Sequence, residues 1–167
     1  MNPLEPPDKF QVSAALGWLE LGNLLEAARS LDEVSPASRN HPEVLEVRWQ
    51  IHASQSQWDA CVVVADALVQ AAPESPFGWI HRACALRRAP NGSLQAAWDA
   101  LLPAFKKFPG QPMIPYNLAC FACQMGNLKE TRRWLERAFE VGDPKQLRSL
   151  AQHDPELQLY WQHHRQL

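Results

Sequence analysis

The sequence predicts an all-α protein built as a stack of helical hairpins, and three observations carry that prediction. An apolar pattern recurs four times at nearly constant spacing, proline and cap residues punctuate the chain between its copies, and the composition suits a packed core. Of the 167 residues 46% are hydrophobic and 20% charged, enough apolar material for one ordinary domain or a short stack of repeats.

The recurring segments are LGNLLEAARSLDEV (21–34), SQWDACVVVADAL (56–68), NGSLQAAWDALLPA (91–104) and MGNLKETRRWLERA (125–138). Each begins with a turn residue, places a large apolar residue two positions on, a small residue three further, and apolar residues four and seven beyond that. Read as helix, the small residue and its i+4 and i+7 companions share one face, the stripe that a packed helix buries. The small positions are Ala27, Cys61, Ala97 and Thr131, separated by 34, 36 and 34 residues. Their companions are Leu31 and Val34, Ala65 and Leu68, Leu101 and Ala104, Leu135 and Ala138. The two extra residues of the third copy are expected in its loop, Arg88 to Gly92.

A partner helix precedes each of these. Pro42 opens one, Ser75 and Pro76 read as N-cap and first helical residue of the next, and Gln111 with Pro112 open the last. Pro73 and Pro109 close repeats, because proline cannot continue a helix. Pro103 falls inside a predicted helix, where a kink is expected at a cost of about 3 kcal/mol. After residue 143, Asp154 and Pro155 start a last helix over 155–165 that carries Leu157, Leu159, Tyr160 and Trp161. Its predicted role is to cover the apolar end of the stack.

The stretch YNLACFACQMGNLKETRRWLERAFEVGD (116–143) resembles a tetratricopeptide repeat, with Leu118, Ala119, Gly126 and Ala138 where that family has them. The resemblance extends over about residues 8–143. It implies a right-handed α-solenoid of four repeats (8–41, 42–75, 76–110 and 111–143), flanked by an N-terminal extension (1–7) and a C-terminal capping region (144–167). Three departures stand out: Trp49 replaces a small contact residue, Thr131 replaces the usual alanine, and Gln55 with Ser56 replace the turn glycine. The resemblance also implies that the first helix of each repeat lines a concave groove. Carried over position by position, the groove residues are Lys9, Val12, Ser13 and Leu16, then Glu43, Glu46 and Gln50. Repeats three and four contribute Phe77, His81, Cys84, Arg88, Met113, Tyr116, Asn117, Cys120 and Gln124. Phe77, His81, Arg88, Tyr116 and Asn117 are expected to converge, partly exposed, on a bound peptide; with Met113 and Gln124 they form the predicted binding set. The Lys and Asn partners of a carboxylate clamp are missing from the earlier repeats.

Charge and chemistry narrow the function classes. The formal net charge is −2, but residues 1–75 carry four Lys/Arg against eleven Asp/Glu while residues 76–167 carry twelve against seven, so the halves differ at −7 and +5. This points away from nucleic acid and membranes as partners and offers a route to self-association through oppositely charged ends. The first residues show no leader or apolar anchor, which predicts the cytoplasm, where four irregularly spaced cysteines stay reduced. Cys120 and Cys123 form a C-x-x-C, yet they lie mid-helix among apolar residues and no second pair completes a zinc site. The six histidines read as surface residues, the adjacent His163 and His164 included, since helix neighbours point apart. Six of the seven tryptophans fall at or beside packing positions. The reading is therefore a non-enzymatic scaffold that binds a polypeptide segment and needs no cofactor or metal. A secretion-type chaperone is the second reading, and a thiol-dependent enzyme or metal protein using Cys120 and Cys123 the third.

Overall fold

The computed structural model describes residues 3–164, apart from the side chain of His164. Residue 165, the expected end of the last helix, lies outside the described residues. Among the described residues ten α-helices follow one another: α1 (Asp8–Glu20), α2 (Leu24–Asp32), α3 (Pro42–Ser54), α4 (Trp58–Ala71), α5 (Pro76–Leu86), α6 (Leu94–Lys107), α7 (Met113–Gln124), α8 (Leu128–Val141), α9 (Pro144–His153) and α10 (Gln158–His164). Short 3₁₀ turns occupy Pro36–Ser38 and Pro155–Leu157. The helices pack in sequential pairs, α1 with α2, α3 with α4 and α7 with α8.

The repeat seen in the sequence is the repeat of the backbone. Helices α2, α4, α6 and α8 start at residues 24, 58, 94 and 128, again 34, 36 and 34 apart. The insertion falls where expected, because α5 ends at Leu86 and α6 starts at Leu94, whereas residues 21–23, 55–57 and 125–127 suffice for the other three turns. Asn23, Ser93 and Asn127 cap their helices by accepting the amide hydrogens of Glu26, Ala96 and Glu130. Ser75 and Pro76 behave as the sequence suggests, but α7 begins one residue later than expected, with Pro112 at the N-cap position and Pro115 in the first turn. Proline is tolerated there because first-turn amides have no intrahelical acceptor. α6 continues through Pro103.

Every position of the repeated stripe is buried. Ala27, Cys61, Ala97 and Thr131 are all 0% exposed, and their companions at i+4 and i+7 are buried with them. Thr131 stands in for alanine at that depth because its hydroxyl donates to the carbonyl of Asn127 at 3.0 Å, which leaves no orphaned polar atom. The missing turn glycine is also accounted for. Gly22 and Gly126 hold φ of 73° and 78°, and Ser56, 34 residues from Gly22, takes the same left-handed conformation at φ 56°. The turn geometry is thus kept where the residue is not, at the steric cost that a Cβ brings in that region.

The chain divides into two compact units, the first running to Ala85 and the second starting at Leu86. In the first, Leu4, Val12, Ala15, Ala27, Leu31, Val34, Val44, Val47 and Ile51 form one apolar cluster. Asp8 ties the entry of α1 to the chain beyond α2: its carboxylate accepts from the Ser35 hydroxyl at 2.6 Å and the Ser35 amide at 2.8 Å. Those bonds hold the Asp8 carboxyl below its usual range. In the second unit α7 is the central element, with Ile114, Leu118, Ala119 and Phe121 0% exposed. Around α8, Trp134 meets Trp98 and Phe105 edge to face, with ring centroids 5.8 and 5.0 Å apart.

Candidate functional site

Two surfaces bear the residues singled out from the sequence, one in each unit. In the first unit Phe77, the second residue of α5, is 55% exposed, too large a share for a packing residue. It borders a cavity of about 420 Å³ lined by Pro42, Glu43, Glu46, Leu68, Ala72 and Ser75. The floor is apolar and the two glutamates carry the charge. α5 can lie close to α4 here because Gly78 has no side chain; a Cβ on it would stand 2.9 Å from the Val69 amide nitrogen.

His81, one turn further along α5, is half-buried and fully engaged. Its ring stacks on Trp49 at 4.0 Å, nearly parallel, and its Nε2 lies 2.6 Å from Oε1 of Glu46. Burial works against the Glu46 charge, but the hydrogen bond and charge of His81 outweigh it and hold the carboxyl below its usual range. This explains Trp49 at a position where a small residue is expected: the indole supplies a platform for an imidazole from the next repeat.

The second surface is the face of α7. Tyr116, expected to be partly exposed, is only 3% exposed, because the segment after α9 lies over it. Its hydroxyl donates to Oδ2 of Asp154 at 2.8 Å, and the Cys120 thiol reaches the same oxygen at 3.7 Å. Arg87 pairs with Glu156, Arg88 approaches that carboxylate at 3.4 Å, and Arg87 also donates to the Gln124 side chain at 3.3 Å. The Arg87 guanidinium lies 5.7 Å from the centre of the Phe121 ring. Asn117 donates to the Met113 carbonyl at 2.7 Å, and both side chains are half-buried. Of the predicted set, Arg88, Tyr116 and Gln124 share one polar network, and Phe77 and His81 belong to the first unit.

Burial and the neighbouring carboxylates push the Tyr116 hydroxyl and the Cys120 thiol far up, and burial pushes Cys123 up as well. A nucleophilic or redox thiol requires the opposite shift, toward the thiolate. Cys120, Asp154 and Glu156 bring potential ligand atoms within 4.8 Å of one another. The oxygens in question already serve Tyr116, the thiol and Arg87, whose positive charge opposes a cation at the same place. The arrangement is a hydrogen-bonded charge cluster that fastens a chain segment.

Arg87, Asp154 and Glu156 are the members that the sequence did not reveal. Carrying positions along α5 favours Arg88, but the helix ends at Leu86 and the phase is lost in the longer loop. The available signal was the acidic Asp-Pro-Glu following the last basic repeat.

Paired helices with this period and this buried stripe give the chain an all-α helical-repeat fold, like that of tetratricopeptide proteins. The sequence matches no protein-family model and no curated protein. Among solved structures, MamA RS-1 ArsTM double mutant, a tetratricopeptide-repeat protein, superposes with a TM-score of 0.67 at 16% identity, over 83% of this chain and 76% of that one. The likeness is one of fold. No helix among the described residues is long and apolar enough to cross a membrane.

Proposed function

We propose that the protein is a non-enzymatic interaction scaffold that binds a segment of another polypeptide on the first helices of its repeats. The observation that carries this reading is Phe77, an exposed aromatic at the rim of an apolar cavity with carboxylates beside it. Such a side chain offers large contact area with few rotamers to order, the property of an interface anchor. The tetratricopeptide fold supports the same reading, since it presents helix faces rather than a closed catalytic pocket.

The test is capture of the natural partner from a native extract by immobilised protein, with partners identified by mass spectrometry. Phe77→Ala should fold as the parent does, because the ring is largely in solvent. It should lose affinity by about 2 kcal/mol, roughly thirtyfold, the usual result of truncating an aromatic anchor. Lys106→Ala, exposed on α6, should retain the partner. Equal retention by both variants would remove the groove from consideration and turn attention to the second helices or the charged ends. Tyr116→Ala is a poor probe of the same question, since Tyr116 is buried and its loss would disturb the α7 face itself.

A further inference from the structure

We propose that residues 154–163 are a built-in occupant of the α7 face, and that the face beneath them is a binding site for an acidic peptide segment of another protein. The proposal rests on the groove reading, because the covered face is the one that carries Tyr116 and Gln124.

The occupant has a definite chemistry. Asp154 and Glu156, two residues apart, present their carboxylates to Tyr116, Cys120, Arg87 and Arg88, and the next residue, Leu157, is 0% exposed. The recognised pattern is therefore acid, spacer, acid, leucine. Apart from the Glu156 amide, which donates to Asp154 Oδ1 at 2.9 Å within the turn, these donors come from α7 and from the loop after α5, so a segment supplied from outside would meet the same donors. Uncovering the site would leave the Arg87 side chain, now 8% exposed, without its anion. A guanidinium beside a phenol hydroxyl is a ready receptor for a carboxylate.

The occupant is also built to exchange. It consists of a three-residue 3₁₀ turn and the seven-residue α10, each too short to hold helical form alone in water. Its structure comes from its seat, and elements of this kind open locally at lower cost than a core helix. Because the segment is tethered, it competes at an effective concentration on the order of millimolar, which lowers the apparent affinity of any outside ligand. Weakening the tether's own contacts should restore that affinity.

The probe is a fluorescent synthetic peptide of residues 154–163, DPELQLYWQH, titrated into the full chain. The receptor variants are the parent and an Asp154→Asn/Glu156→Gln double variant, in which asparagine can still cap the turn. The double variant should bind the peptide at least about tenfold more tightly than the parent. A peptide with the same two replacements should bind either receptor at least about tenfold more weakly. In the parent, saturating acidic peptide should speed hydrogen exchange at amides 156–163. Equal affinity of the two receptors, or equal binding of the two peptides, overturns the proposal. Should the double variant fail to fold, unchanged exchange in the parent at saturating peptide overturns it, and accelerated exchange supports it. A concentration-dependent dimer of the parent would make the occupant the tail of a second copy and overturn the assignment to another protein. Loss of the natural partner by Phe77→Ala together with no peptide exchange sinks only this proposal. Peptide exchange with the partner retained by Phe77→Ala sinks only the groove reading.

Discussion

Phe121→Ala is expected to lower the stability of the second unit by about 3–5 kcal/mol, the range for removing a buried aromatic from a close-packed core. Phe121 is among the largest fully buried side chains, at 0% exposure, and sits in the last turn of α7. Its loss costs the transfer of the ring from water and leaves a cavity that neighbours fill only in part. The Arg87 guanidinium near the ring would lose its support as well, and with it part of the seat of Glu156. Urea unfolding followed by far-UV circular dichroism measures the effect. A loss under about 1 kcal/mol would mean that Phe121 does not occupy a well-packed core position.

Ala27→Asp and Ala97→Asp should each cost several kcal/mol, by a different route. Both alanines are 0% exposed, one in each unit, on the buried stripe of α2 and of α6. A carboxylate there has neither room nor a partner, and burying it unpaired is costly. The sign of the pH dependence is a further check. Burial raises the folded-state pKa of the introduced aspartate above its unfolded value of about 3.9, so the deficit should grow as pH rises above about 4. Thermal melts at pH 4 and pH 7 would show it. An unchanged melting point in both variants would mean that the repeat register is wrong.

Much of the fold was legible because a repeat writes the same packing constraint several times. The positions of Ala27, Cys61, Ala97 and Thr131 fixed the phase of four helices, and a spacing error in one copy would have shown against the others. The site was harder to read for a related reason. Its members depart from the repeat: Trp49 is large where the pattern wants a small residue, Arg87 lies just beyond the end of α5, and Asp154 follows the last repeated helix. Position-by-position inference has no purchase where the chain leaves its period. Nor does a sequence disclose that a terminal segment folds back onto a particular face, since that depends on contacts 34 to 69 residues apart, such as Cys120 with Asp154 and Arg87 with Glu156.

The sulfur atoms inside the helices give the molecule its own clocks. Cys61 lies in the first unit and Cys120 and Cys123 in the second, all buried, with the Cys61 thiol pushed up to about 11 by its burial. Alkylation proceeds through the thiolate in contact with solvent, so each sulfur is labelled only when its helix opens. A single mass-resolved labelling time course therefore reports two opening equilibria from one unmodified chain, and distinguishes units that breathe separately from units that open together.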